Sequence, residues 1–243
     1  MSCQTRKPDI TLFFLGASRA IRIAWLLEEL NLPYQLVSSP RAPNGLAPEE
    51  FKAQIPTRMG KSPVIKDGDL VVQESAAIAE PSAPQRAPSS GKSQGMDGCR
   101  RGDVHDPRSR GEQILYARWR LPKPAAQYLP EMEKGLARNV HNALNWLEAE
   151  LADGRQYLVM SSGSRSDAEA EAEATPGQSD NERNDGRDDV SAADILMGFS
   201  VDFIFARKLG TEGADWPNVR RWLHGIKQRE AYTRAVKKTG YSL

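Results

Sequence analysis

The residues predict strands interleaved with helices in the first third of the chain and helices in the remainder, so an α/β segment is followed by an all-α one. Three observations carry this reading. Residues 10–37 run from a β-rich apolar stretch through a helix-period stripe to a second β-rich stretch. Residues 62–80 set a proline-entered hairpin directly before a helix start. From Pro130 onward the apolar residues recur at helical spacing.

Taken in order, Ile10-Thr-Leu-Phe-Phe-Leu15 reads as a strand, and Gly16-Ala-Ser18-Arg19 as a loop and helix start. Ala20 to Leu30 is an amphipathic helix: Ile23, Leu26, Leu27 and Leu30 fall at i, i+3, i+4 and i+7, while Arg22, Glu28 and Glu29 lie off that stripe. Asn31-Leu-Pro33 stops it, and Tyr34-Gln-Leu-Val37 is the next strand. Residues 38–50 form a proline-rich connection, with a short helix opening at Pro48. Ser62-Pro-Val-Ile65 and Leu70-Val-Val-Gln73 are hairpin strands around a turn that contains Asp67-Gly68. Glu74 and Ser75 then place an acid and a hydroxyl in the first turn of a helix. Pro63 biases Ser62 toward extended backbone and cannot itself donate to a ladder. An edge strand beside a helix N-terminus suits a short peptide carrying a carboxylate; the alternative is a plain hairpin and helix.

Ser18-Arg-Ala-Ile-Arg-Ile-Ala-Trp-Leu-Leu-Glu-Glu-Leu-Asn-Leu-Pro-Tyr34, Gly60-Lys-Ser-Pro63 and Gln73-Glu-Ser75 together resemble the glutathione S-transferases of the fungal microsomal type. The resemblance implies a thioredoxin-like domain over residues 9–80, ordered β-α-β-α-β-β-α, followed by an all-α domain over 113–243.

Between them, residues 81–113 hold four prolines and six Lys or Arg. With almost no large apolar residue, this composition cannot offset the entropy of ordering. Residues 81–112 are therefore expected to be an irregular, disordered linker: a genuine insertion or a faulty reading of the gene. Gln113 to Trp119 is the helix expected to survive before Pro122 and Pro124. Met132, Leu136, Val140, Ala143, Leu144, Leu147 and Leu151 form a helical stripe to which Trp146 adds bulk. Residues 161–189 contain nine Asp or Glu and no Val, Ile, Leu, Met or aromatic residue, and read as a disordered acidic insertion. Ser191 with Asp194 at N3 forms a capping box, and Val190 with Ile195 a hydrophobic staple; the resemblance places this motif at the start of a central helix. Ile195 to Leu209 is apolar nearly all round, with Asp202 expected to be ion-paired or hydrogen-bonded. Residues 217–226 and 231–236 are two closing helices.

Composition narrows the function classes. The chain has 243 residues, enough for two small domains, and a net charge of +1, which favours neither nucleic acid nor an acidic membrane surface. No apolar run approaches the roughly 18 residues of a spanning helix, and the first residues lack the apolar core of a signal peptide. Cys3 and Cys99 are far apart, so neither a disulfide framework nor a redox pair is indicated, and a reducing cytoplasmic setting is expected. The microsomal relatives raise a peripheral endoplasmic reticulum membrane location as the alternative. His105, His141 and His224 have no ligand spacing, so no metal site is expected, and no cofactor beyond glutathione as co-substrate.

The resemblance also implies a chemistry. A transferase must lower the pKa of the glutathione thiol, using a hydroxyl hydrogen bond, a cation or a helix N-terminus. Ser18 and Arg19 stand where the family meets the sulfur. Ser18 is the expected thiolate donor, with helix capping as the competing role, and Arg19 would steady the thiolate or a carboxylate. Tyr34 and Tyr116 are further hydroxyls, for which core packing is expected. Ser62 would pair through its backbone with the cysteinyl residue, and Pro63 would shape that edge. Glu74 would take the γ-glutamyl ammonium and Ser75 the carboxylate. Lys61 would reach the glycyl carboxylate or remain a solvated turn lysine. The expected partners are glutathione, a small hydrophobic electrophile received mainly by the second domain, and a second copy of the chain. Glutathione peroxidase side activity is possible in such a site. A non-catalytic module of the same fold, or an inactive product of the disrupted domain junction, remains the alternative.

Overall fold

The first strand is apolar at nearly every position because it is covered on both faces. β1 (Ile10–Leu15) pairs in parallel with β2 (Tyr34–Ser39) and antiparallel with β3 (Val64–Asp67), which pairs with β4 (Leu70–Gln73), giving the order β2-β1-β3-β4. Successive side chains of a strand point to opposite faces. Ile10, Leu12 and Phe14 accordingly enter the main core, while Phe13 and Leu15 join Phe51, Ile55 and Val64 in a smaller one. Phe51 belongs to α2 (Glu49–Gln54), so that helix covers one face. α1 (Ala20–Glu29) covers the other. Gly68, with φ +60°, lets the hairpin turn in two residues between Asp67 and Leu70.

The chain is seen in a computed structural model that describes residues 8–79, 107–159 and 190–243. The linker segment 80–106, the acidic insertion 161–189, and Cys3, Cys99 and His105 lie outside the described residues. After α3 (Ser75–Ala79), the helical domain comprises α4 (Pro107–Arg120), a 3-10 turn (Lys123–Tyr128), α5 (Leu129–Glu150), α6 (Ala192–Ala206), α7 (Pro217–Lys227) and α8 (Glu230–Thr239). α4 begins at Pro107, ahead of the expected Gln113. Its first turns carry no apolar stripe to announce them, yet Gly111 packs against Ile204 and Leu209.

α6 is central, as its all-round apolarity implies. The capping box forms in both directions: the Asp194 N–H donates to Ser191 Oγ at 3.2 Å, and the Ser191 N–H donates to Asp194 Oδ2 at 3.0 Å. Asp194 is fully buried, and its Oδ1 also accepts from the Leu158 N–H (2.9 Å) and Trp222 Nε1 (2.7 Å). One carboxylate thus starts α6, anchors the segment after α5 and holds α7. Asp202 takes the expected ion pair, with Lys227 Nζ 2.9 Å from both oxygens.

Packing overrides the sequence reading in three places. Trp146 is 56% exposed and Tyr116 54% exposed, so neither fills the core; both sit on helix faces that the described residues leave uncovered. Arg22, off the apolar stripe of α1, is only 5% exposed. α1 lies between the sheet and the helical domain, so its second face is buried as well. Glu29 on that face accepts from Arg229 Nε (2.6 Å) and Nη2 (2.9 Å) and from Trp25 Nε1 (2.8 Å).

Burial alone would raise the Glu29 carboxyl, but the hydrogen bonds from Arg229 and Trp25 outweigh it and hold the carboxyl below its usual value. A depressed folded pKa stabilises above the unfolded value of about 4.3 and is lost as pH falls through the folded one. Arg229→Gln should therefore cost about 1–2 kcal/mol at neutral pH, below a fully buried pair because both groups keep some solvent. The gap from the native chain should close in acid, below about pH 4. Urea unfolding across pH measures both.

Candidate functional site

A groove of about 200 Å3 opens at the end of β1, lined by Leu15, Ser18, Arg19, Arg41, Lys61, Ser62, Pro63, Gln73, Glu74 and Ser75. All seven residues singled out in the sequence (Ser18, Arg19, Lys61, Ser62, Pro63, Glu74 and Ser75) line it. They come from three stretches of chain: the β1–α1 loop, the entry to β3, and the β4–α3 junction.

Each is placed by local chemistry. The Ser62 hydroxyl donates to the Phe13 carbonyl (2.8 Å) and accepts from the Leu15 N–H (3.1 Å), so the side chain continues the β1–β3 pairing ahead of Val64. The Ser62–Pro63 peptide is cis. Glu74 has φ +75° and stands exposed at the rim, while Ser75 beside it is only 5% exposed. Ser75 Oγ accepts a hydrogen bond from Arg22 Nη1 at 3.2 Å. Lys61 is exposed at the mouth. Arg19 pairs with Glu112 of α4 at 3.4 Å.

Ser18 is buried. Its hydroxyl donates to the Leu15 carbonyl (2.6 Å) and accepts from the Ala20 N–H (3.2 Å). This is the local turn bonding that competes with a thiolate for the same proton.

Sequence reasoning gave no site role to three lining residues, Leu15, Arg41 and Gln73. Arg41 lies in the proline-rich connection, where no periodicity marks it. Its Nε donates to the Gly16 carbonyl (3.0 Å), Nη2 to that of Ala17 (3.2 Å) and Nη1 to that of Gly45 (2.8 Å), tying the β1–α1 loop to the β2–α2 connection. Burial, and then the Arg207 charge, pull its pKa below the usual arginine value. Gln73 was visible as the last residue of a strand and as part of the Gln73-Glu-Ser75 motif, without a role of its own. Arg19, Arg41 and Lys61 against one lining carboxylate, Glu74, give the groove a cationic excess that favours an anionic ligand.

A second cavity, of about 350 Å3, shares Arg41 with this groove and is lined by Phe14, Gly16, Ala17, Pro40, Thr239 and Ser242 among others. Among the described residues no three His, Cys, Asp or Glu form a metal-sized group, and no helix is long and apolar enough to cross a membrane.

A thioredoxin-like domain of this topology, its groove at the end of β1, and a helical domain built on a capped central helix define the glutathione S-transferase fold. Residues 8–80 match the family described as glutathione S-transferase, N-terminal domain. Over 257 aligned residues the chain is 27% identical to glutathione S-transferase 1 of Saccharomyces cerevisiae, covering 95% of each chain. It is 42% identical over 71 residues to glutathione S-transferase 3 of Schizosaccharomyces pombe, covering 29% of this chain and 28% of that one. A crystal structure of a glutathione S-transferase from Actinobacillus pleuropneumoniae superimposes with a TM-score of 0.66 at 26% identity, covering 96% of this chain and 94% of that one. Residues 8–80 carry a glutathione S-transferase N-terminal domain, and the fold of the chain is that of the glutathione S-transferases.

Proposed function

We propose that the chain binds glutathione in the β1-end groove and activates its thiol for addition to small hydrophobic electrophiles. The observation that carries this is the convergence of the seven residues on one cationic groove. Ser62 and Pro63 form the wall for the cysteinyl residue, Glu74 takes the γ-glutamyl ammonium, and Ser75 takes the carboxylate. Lys61 faces the glycyl carboxylate, and Arg19 adds positive charge near the sulfur.

Ser18 supplies the thiolate bond. Its hydroxyl donates to the Leu15 carbonyl. A hydrogen bond to a charged acceptor is roughly twice as strong as a neutral one, so an arriving thiolate wins the proton from the carbonyl. Such a bond is worth about 1.5–3 kcal/mol. Net of the carbonyl bond given up, and at about 1.4 kcal/mol per pKa unit, this lowers a thiol by about one unit, from about 8.5 to about 7.5. The electrophile then sits in the adjoining cavity, between the β1–α1 loop and the end of α8. A homodimer, a cytoplasmic setting and glutathione peroxidase side activity belong to the same proposal and rest on the family likeness.

Calorimetric titration with glutathione tests the binding half. Ser75→Ala is expected to weaken binding by about tenfold, the loss of one bond to a charged group. Ser18→Ala should spare binding, raise the pH at which bound thiolate forms by about one unit and lower kcat/KM for a test electrophile about tenfold at neutral pH. Ultraviolet thiolate titration and steady-state kinetics read these effects. Absence of glutathione binding by the folded native chain would sink the transferase reading in favour of a non-catalytic module.

A further inference from the structure

We propose that Arg22 is a positioning residue for the groove: from inside the domain interface it fixes the Ser75 hydroxyl so that its proton points at the γ-glutamyl carboxylate. The inference rests on the glutathione reading and adds to it the residue that orients one of its contacts.

Arg22 does not line the groove. It projects from α1 into the junction with α3 and α6, where Nη1 donates to Ser75 Oγ (3.2 Å) and Nη2 donates to Ser200 Oγ. Its guanidinium carbon stands 5.3 Å from the centroid of the Phe199 ring. Arg22, Ser75 and Ser200 are all buried. A guanidinium carries only donors and stays charged. Ser75 Oγ therefore has to accept from Arg22, which occupies one of its two lone pairs and keeps its O–H available to donate to a carboxylate in the groove.

This matters because a serine without such a partner has both lone pairs to turn to the groove, and a lone pair repels a carboxylate; the Arg22 bond biases the rotor toward donation. A packing role alone would not require an arginine. Ala20-Ile21-Arg22-Ile23-Ala24 places one cation in an apolar run, and taking that charge out of water costs several kcal/mol before its bonds offset it. Ser200 supplies the other end of the clamp. It lies on α6, whose start is locked by Asp194, so the orientation of Ser75 is referred to the helical domain.

The test compares glutathione with γ-aminobutyryl-cysteinyl-glycine, which lacks only the γ-glutamyl carboxylate, by calorimetry on the full chain. The native chain should prefer glutathione by at least about tenfold, the worth of one bond to a charged group. Arg22→Gln and Arg22→Met should lose that preference by weakening glutathione alone, and Arg22→Gln should add nothing in a Ser75→Ala background. Ser200→Ala, which loosens the clamp without touching Ser75, should lower the preference about threefold, or roughly 0.7 kcal/mol. Equal losses for both peptides, or an unchanged preference, overturn the role and leave Arg22 a structural arginine. If both Arg22 variants fail to fold, Ser200→Ala and Arg22→Lys decide on the same ratio: an unchanged preference in both overturns the role, and a reduced one supports it. A native chain that binds neither peptide overturns the glutathione reading itself, an outcome distinct from these.

Discussion

A chain carrying Asp194→Ala is expected to melt about 10 °C below the native protein. The carboxylate accepts four hydrogen bonds: from the Ser191 N–H and hydroxyl at Oδ2, and from the Leu158 N–H and Trp222 Nε1 at Oδ1. All of them converge on a side chain with no solvent exposure. Truncation removes half of the capping box and strands donors from three segments. A buried donor left without an acceptor costs about 1–3 kcal/mol, and a lost cap about 1. Allowing for partial relaxation, the total is about 4 kcal/mol, at the upper end of single substitutions. For a chain of this size about 2–4 °C is lost per kcal/mol. Asp194→Asn provides the control. It keeps the acceptor toward Leu158 and Trp222 but turns an amide donor on the Ser191 N–H, so about half the loss is expected. Thermal unfolding followed by circular dichroism decides, and a native-like melting temperature for Asp194→Ala would refute the shared-anchor account.

Gly210→Ala is expected to cost about 3 kcal/mol, from two separable sources. Gly210 has φ +68°, which an alanine adopts at a cost of about 1 kcal/mol. It also lies where the chain leaving α6 passes against α4 and α5. A Cβ there would come within 2.8 Å of Ile114 Cδ1, 2.9 Å of Ala137 Cβ and 3.0 Å of Ala137 Cα. The last of these belongs to the backbone of a helix and cannot swing aside, so overpacking adds about 2 kcal/mol. Gly213 separates the two costs: its φ is +77°, but nothing lies within 4 Å of a Cβ built on it. Gly213→Ala should therefore lose only the conformational part, about 1 kcal/mol. Equal losses at the two glycines in urea titrations would show that the close approach at Gly210 has no energetic weight.

What the sequence by itself determined about this protein is its local order. Strand, helix and turn boundaries follow from interactions a few residues long: the apolar run of β1, the Asp67-Gly68 turn, and the reciprocal bonds of Ser191 and Asp194. These forced the element order, and the motifs around Ser18, Ser62 and Ser75 supply residues that line the groove. The tertiary structure decided how each of these groups is used. Whether α1 has one buried face or two depends on what packs across it, so Arg22 and Glu29 read as surface charges until the helical domain is in place. Trp146 and Tyr116 obey helical spacing yet point outward, because periodicity identifies a stripe without identifying its partner. Arg41 joins the site through carbonyls of residues 16, 17 and 45, a set that no linear pattern encodes. The physical reason is range. Caps, turns and periodicity are enforced by neighbours in the chain. Burial, charge pairing and the aim of a hydroxyl are set by residues distant in the chain, such as the 200 positions that separate Glu29 from Arg229.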